Sequence, residues 1–168
     1  MKHSFILFSC ALILLFVGCG GERRPDGMPA LHATALTFTQ GGTPLGADAL
    51  VTLFSDDASL SQWTIGGVTN DRGVVNIQTN GFNGAPAGTF RITVSKTETE
   101  GEVAARTEPV DPDAPFVDTS NVRSFHVVAP EHRTRQTTQL TVEVTPGRNA
   151  ETFDLGPAVR EAVPVFRD

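Results

Sequence analysis

Short runs in which apolar and polar residues alternate with a period of two dominate the chain from Ala35 onward. In the clearest run the apolar positions are Phe90, Ile92 and Val94. A period of two places alternate side chains on one face of a β-strand. Gly, Pro, Asn or Asp closes each run, as expected at the ends of strands. The pattern therefore predicts strands that each bury one face.

Seven further runs have the same character. Their apolar positions are Leu36 and Phe38, Val51 and Leu53, Trp63 and Ile65, Val75 and Ile77, Phe125 and Val127, Leu140, Val142 and Val144, and Phe153 and Leu155. No long window has the 3.6-residue period of an amphipathic helix, although Pro157 to Val165 has room for a helical turn or two. Because two sheets with one apolar face each must cover each other, we predict an all-β fold, a single sandwich of seven or eight strands.

Two glycine positions carry specific expectations. In the turn Asn70-Asp71-Arg72-Gly73, Gly73 can adopt the positive φ that closes a hairpin between the strands of Ile65 and Val75. Gly66-Gly67, within the third predicted strand, either permits the close approach of another backbone or marks a bulge. Of these two, we expect the bulge.

The N-terminus has a different pattern. Met1-Lys2-His3 precedes an apolar run from Phe5 to Val17, which is too short to span a bilayer, and Gly18-Cys19 follows directly. This arrangement resembles the lipobox of bacterial lipoproteins, which implies that Cys19 is lipidated and becomes the N-terminus after cleavage. The alternative is a plain secretory signal, in which Cys19 is only a small residue near the cleavage site. Phe16 departs from the Leu that is usual in the lipobox.

These patterns divide the chain into four segments. We assign residues 1–18 to the signal peptide, 19–34 to the lipidated Cys and a flexible tether of Gly, Pro and charged residues, 35–155 to the β-sandwich, and 156–168 to a C-terminal tail. Within the sandwich, residues 96–122 form an acidic loop with three prolines, far longer than a usual hairpin loop. Either the acidic loop or the tail has the length to hold a partner surface.

Charge and composition restrict the partners. The formal net charge of −6 repels nucleic acid and anionic lipid headgroups. Cys10 leaves with the signal peptide and Cys19 would be acylated, so the exported domain has no thiol for a disulfide. Tyr is absent and Trp63 is the single Trp, so aromatic side chains that also form hydrogen bonds are scarce.

The folded part resembles the carboxypeptidase regulatory-like, or transthyretin-like, domain. Residues 42–54 are similar to the family's first hairpin, G-x-P-L-x-G-A-x-V-x-F, residues 69–73 to T-D-x-D-G, and residues 84–94 to G-A-x-x-G-x-Y-x-V-x-V. Residues 130–144 look like the P-x-x-Y segment and the strand after it, so the resemblance covers roughly residues 35–155. Departures from the pattern occur at Ala47, Phe90 and His132. The resemblance implies a Greek-key sandwich that serves as a non-catalytic module.

Known enzymes with a transthyretin-like fold need residues that this chain lacks. Hydroxyisourate hydrolase ends in Tyr-Arg-Gly-Ser and an intradiol dioxygenase uses two Tyr ligands, whereas this chain has no Tyr. The His-x-x-Glu of the carboxypeptidase zinc site and the Gly-x-Ser-x-Gly of a hydrolase nucleophile are also missing from the sequence. We therefore expect no enzymatic activity.

Metal binding is a weak alternative. A site on His126 and His132 would need a third ligand such as Glu131 or Asp118. The competing interpretation places His126 on an outward face and His132 in a loop. Calcium ligands from Asp111, Asp113 and Asp118 are interrupted by prolines and lack a calcium-loop spacing. We expect no metal and no other cofactor.

Two functions remain. The first is a non-catalytic, lipid-anchored cell-envelope protein that acts as a structural or interaction module, held on the membrane through Cys19, with an envelope protein or a glycan as partner. Gly20 after the cysteine, instead of Asp, favours the outer membrane. The alternative is a carbohydrate- or peptide-binding accessory domain that recruits a substrate for a separate enzyme. Trp63 exposed in a shallow groove favours the accessory domain, and Trp63 packed between the sheets favours the structural module.

Overall fold

The computed structural model of the chain describes residues 24–101 and 122–164. Within these ranges the chain forms mostly β-strands, one short α-helix, α1 (Pro130–Arg133), and a 3-10 helix (Ala58–Leu60). The strands are β1 (Leu31–Gln40), β2 (Thr43–Pro44), β3 (Leu50–Ser55), β4 (Ile65–Val68), β5 (Val74–Asn76), β6 (Gln78–Thr79), β7 (Phe82–Asn83), β8 (Ala85–Pro86), β9 (Gly88–Ser95), β10 (Thr97–Glu100), β11 (Arg123–His126), β12 (Thr141–Val144), β13 (Arg148–Asp154) and β14 (Glu161–Ala162). Cys19, Asp111, Asp113 and Asp118 lie outside the described residues.

The strands form three sheets. The largest is antiparallel, with the order β12-β9-β3-β4-β6-β7. In the second, β1 lies between parallel β13 on one side and short antiparallel segments of β8, β5 and β2 on the other. The third is small and antiparallel, with the order β10-β11-β14. The all-β prediction is thus confirmed as a mostly β chain with antiparallel sheets, to which β1 and β13 add one parallel pair.

The two larger sheets contribute to one hydrophobic core. From β9, Phe90, Ile92 and Val94 are fully buried, and from β1, Leu36 and Phe38. The core also contains the predicted inward residues Val51, Leu53, Ile65, Val75, Ile77, Val142, Val144 and Leu155. Trp63, Leu140 and Phe153, also predicted to face inward, are only partly buried against it, and Phe125 is half-buried. The alternation in the sequence is therefore confirmed in these strands. Burial of each large side chain contributes about 1.5–3 kcal/mol.

The number and pairing of strands differ from the prediction. The described residues contain fourteen strands rather than seven or eight, and several are only two residues long. Gly73 does have a positive φ of 72°, but its turn does not close a hairpin between neighbouring strands. The strand before it, β4, pairs with β3 and β6, whereas β5 after it pairs with β1. The turn therefore carries the chain from one sheet to the other.

The bulge expected at Gly66-Gly67 is absent. Pairing between β3 and β4 runs residue for residue, from Leu50 opposite Val68 to Leu53 opposite Ile65. A Cβ atom at Gly66 would collide with the carbonyl oxygen of Val51, and one at Gly67 would lie 2.7 Å from Cγ2 of Val75. The two glycines instead permit the close approach of neighbouring groups, which was the other interpretation.

Strand β1 begins at Leu31, earlier than the predicted start at Ala35. Leu31 and His32 pair with Pro86 and Ala85 of β8, a contact that an alternation pattern does not encode. His32 is therefore a histidine of the folded part, and its Nδ1 atom lies 3.2 Å from the backbone nitrogen of Gly147, which donates to it. The sequence pattern alone places His32 in the tether, residues 19–34.

The helical expectations also change. Residues 157–164 form no helical turn; instead, β14 pairs with β11, and the Val159 N–H donates to the Val127 carbonyl. The tail thus lies along the third sheet. His132, expected in a loop, belongs to α1. Neither helix in the described ranges has the length and apolar content needed to cross a bilayer.

Strand directions define two ends of the domain. At the Leu31 end, β1 starts beside Pro86 and β9 starts at Gly88. At the Gln40 end, β1 finishes, and the Gln40 side chain donates to the carbonyl of Val127, directly after β11 (2.8 Å). The third sheet therefore lies at the end opposite to the one where the N-terminal tether enters.

Candidate functional site

A groove lies on the outer face of the six-stranded sheet, toward the Leu31 end. It has two adjoining parts of about 340 and 420 Å³, which share Phe54, Ser55 and Leu60. The side chains with distinctive chemistry along it are Phe54, Asp56, Trp63, Arg91 and Arg135, and we call this site the Trp63 groove. Each part alone has a volume within the lower half of the range usual for small-ligand sites.

The floor of the groove follows from the alternation in β3 and β9. Leu53 points into the core, so its neighbour Phe54 faces outward and is half-buried. Phe54 lies opposite Arg91 of β9, which lies opposite Thr141 of β12. An aromatic ring, a guanidinium and a hydroxyl thus form one row across three strands.

Trp63 reaches the groove from the segment between β3 and β4. The carboxylate of Asp57 caps the 3-10 helix by accepting from the Ser59 N–H (2.9 Å), and the Trp63 N–H donates to the carbonyl of Leu60 (3.0 Å). Trp63 is half-buried and packs against the core. Its indole Nε1 is buried and has no hydrogen-bond partner in the part of the chain described. Trp63 therefore lies between the two predicted alternatives, since it contacts the core and also lines a groove.

Arg135 spans the groove through three contacts. It donates to Oδ1 of Asp56 (2.8 Å) and to the carbonyl of Ser55 (3.1 Å), and its guanidinium carbon lies 5.6 Å from the centre of the Phe54 ring. The hydrogen bond from Arg135, and then the charge of Arg91, hold the pKa of Asp56 below its usual value. The side chains of Arg135 and Asp56 are 43% and 75% exposed, so their ion pair contributes little to stability.

The side chains of the Trp63 groove are suited to binding a ligand through non-covalent contacts. It offers aromatic surface, carboxylate acceptors and guanidinium donors within one concave site. Asp57 is occupied as a helix cap, and its pKa is lowered by the backbone hydrogen bond from Ser59. The groove thus has the components to hold a small ligand by stacking and by hydrogen bonding.

Among the described residues, the candidate metal ligands form no metal-binding group. His126 lies in β11, where its Nδ1 is 3.4 Å from the hydroxyl of Thr97, whereas His132 lies in α1 with a buried Nδ1 that lacks a partner among the described residues. Across residues 24–101 and 122–164, no group of three or more His, Cys, Asp or Glu side chains could hold a metal ion. Asp118 lies outside these ranges.

A second groove crosses the outer face of the β1 sheet. Its volume is about 500 Å³, and its lining includes Ala33, Ala35 and Ala150 beside Asn76 and Arg148. Asn149 also lines it, but its amide is bonded to Thr145. The lining of this groove contains no aromatic side chain, so it offers fewer kinds of interaction than the Trp63 groove.

Comparisons with protein-family models, with curated proteins and with solved structures found no match for the chain. The resemblance to the carboxypeptidase regulatory-like domain therefore stays a prediction, as does the lipidation of Cys19.

Sequence reasoning singled out Trp63, but it did not single out the charged groups of the groove. Arg91 was detectable, since the clearest strand places it outward. Arg135 was not, because its position depends on the segment after α1 folding back over β9, where the Thr138 hydroxyl donates to the carbonyl of Ile92 (2.7 Å).

Proposed function

We propose that the chain is a non-catalytic, lipid-anchored protein of the bacterial cell envelope, with a transthyretin-like Greek-key sandwich that acts as a structural or interaction module. The observation that carries the proposal is Gly18-Cys19 directly after a short apolar run with a cationic start. Two facing sheets with a shared core support the sandwich part. Gly20 after the cysteine extends the proposal to the outer membrane.

The anchor follows from the energetics of acyl chains. Each buried methylene contributes about 0.8 kcal/mol, so the two or three chains of a mature lipoprotein hold it stably where one chain does not. Residues 20–30 separate Cys19 from β1, a distance of at most about 40 Å when fully extended. The Trp63 groove lies at the Leu31 end, the same end of the domain at which this segment joins β1.

Metabolic labelling with palmitate tests the anchor in a bacterial host. We expect the wild type to take up label and to partition into the detergent phase, and the Cys19→Ser variant to do neither. Cys10→Ser is the matched control, because Cys10 lies within the apolar run, and it should behave like the wild type. An unlabelled wild type, or equal labelling of the Cys19→Ser variant, would contradict the anchor.

A second candidate function is an accessory domain that binds a carbohydrate or a peptide. The Trp63 groove favours it, since Trp63 and Phe54 line a concave surface together with Arg135 and Asp56. The chain has one Trp and no Tyr, so its ultraviolet emission reports directly on the groove. Titration with sets of oligosaccharides and extended peptides should change this emission. An emission spectrum that none of these ligands alters would argue against the second candidate.

A further inference from the structure

We propose that the Trp63 groove binds a neutral saccharide, and that Asp56 and Arg135 together recognise its hydroxyl groups. This inference rests on the second candidate function and names the ligand class. It places the ring of the sugar against the aromatic lining formed by Trp63 and Phe54. Arg91 and Thr141, on the neighbouring strands, border the same site.

The position of the groove on a sheet face argues against peptide binding by strand addition. Its central strand, β3, lies between β9 and β4, so the backbone groups of Thr52 and Leu53 are used within the sheet. Next to them, the carbonyl of Ser55 accepts from Arg135. An extended peptide gains its affinity from an open strand edge, which β3, at the centre of the floor, does not provide. At the centre of the groove, recognition must therefore come from side chains.

The side chains match the two surfaces of a sugar ring. The C–H groups on one face of a pyranose form an apolar patch, which packs on an aromatic side chain through dispersion and its partly positive hydrogens. Its hydroxyls both donate and accept hydrogen bonds. Asp56 supplies only acceptors and Arg135 only donors. A guanidinium nitrogen of Arg135 lies 2.8 Å from Oδ1 of Asp56. Neighbouring hydroxyls can therefore bond to both groups at once, and such charge-assisted bonds are strong.

The charges favour a neutral ligand over an anionic one. Asp56 and Asp57 balance Arg91 and Arg135 along the groove, and the whole chain carries −6. An anionic ligand would therefore gain no net attraction. The exposed pair of Arg135 and Asp56 is inexpensive to open, so both groups can turn from each other to the hydroxyls of the ligand.

The test uses the full chain in a zwitterionic detergent, because an alkyl glycoside would itself present a sugar. Trp63 emission and calorimetry follow titration with cellotriose, maltotriose and chitotriose, with trigalacturonate as the anionic counterpart and an extended peptide as a further ligand. We expect at least one neutral trisaccharide to bind. Asp56→Asn and Arg135→Gln should each weaken it about tenfold or more, the effect of losing a charge-assisted hydrogen bond.

The control pair is Asp71→Asn and Arg72→Gln, which changes the same residue types in an exposed turn at the Gln40 end and should leave binding unchanged. A peptide that alters Trp63 emission when no neutral sugar does would overturn this inference and leave the second candidate standing. Tighter binding of trigalacturonate than of any neutral trisaccharide to the wild type would also overturn it. If no ligand changed the Trp63 emission or gave a heat of binding, both this inference and the second candidate function would be contradicted.

Discussion

The two faces of the six-stranded sheet differ in how the sequence determines the positions of their side chains. On the inner face, Phe90, Ile92 and Val94 are fully buried in one continuous core, and the local alternation of the sequence is enough to place them. On the outer face, Phe54 and Arg91 line the same groove as Trp63 and Arg135. Trp63 precedes β4 and Arg135 follows α1, so these two residues come from separate segments of the chain. The inner face therefore holds the fold, whereas the outer face is free to carry recognition. Substitutions on the two faces should separate stability from binding.

The largest effect is expected on the inner face. Ile92→Ala leaves a cavity in the core and should lower the free energy of unfolding by about 2–5 kcal/mol, and Ile92→Val by about 0.5–1.5 kcal/mol. Arg91→Gln, on the adjacent residue and the opposite face, should change it by no more than about 0.5 kcal/mol. Urea unfolding followed by circular dichroism measures all three. Equal losses of unfolding free energy for Ile92→Ala and Arg91→Gln would contradict the difference between the inner and outer faces.

The connection between the sheets should be the next most sensitive point. Gly73→Ala places a side chain in the left-handed region, which costs about 1–2 kcal/mol, and its Cβ would collide with the carbonyl oxygen of Phe38. At Gly41 the φ is 54° and the space around a Cβ is open. Gly41→Ala should therefore lose only the free energy of placing a side chain in the left-handed region. Thermal unfolding should therefore show a clearly larger loss for Gly73→Ala. Similar losses of melting temperature in both variants would mean that the connection at Gly73 is not tightly packed.

A smaller, pH-dependent effect is expected at the Gln40 end. The carboxylate of Asp154 accepts from the Thr39 hydroxyl and from the N–H groups of Gly41, Gly42 and Gly156, and these bonds, that from Gly42 first, hold its pKa below the usual 3.8. A carboxyl with a lowered folded pKa stabilises the protein above its unfolded pKa, and this contribution is lost as the pH falls through the folded value. Between pH 6 and about pH 3, melting temperature should fall more in the wild type than in Asp154→Asn. Parallel profiles would contradict this role.

The smallest effect on stability is expected in the groove itself. Arg135→Gln removes an exposed ion pair and a contact with Phe54, and exposed pairs contribute little. Its melting temperature should stay close to that of the wild type, although its affinity for a saccharide falls. A large loss of stability would show that Arg135 is a structural residue.

The sequence predicted local features well and long-range pairing poorly. The inward phase of β9 and the positive φ of Gly73 are properties of a few neighbouring residues. The partner of the strand after Gly73, the parallel alignment of β13 with β1, and the early start of β1 at Leu31 depend on residues far away in the chain. For the same reason Trp63 could be singled out as a candidate, whereas the approach of Arg135 to Asp56 could not.

The most direct test of the outer-face site is an NMR titration of the isotope-labelled chain with the neutral trisaccharide that binds best. We predict that shift changes concentrate at the Trp63 indole Nε1–H and at the backbone amides of Phe54 and Arg91, while those of the second groove, such as Asn76 and Ala150, stay unchanged. Changes confined to the second groove, or no changes at a ligand concentration of several millimolar, would contradict the assignment of the Trp63 groove as the functional site.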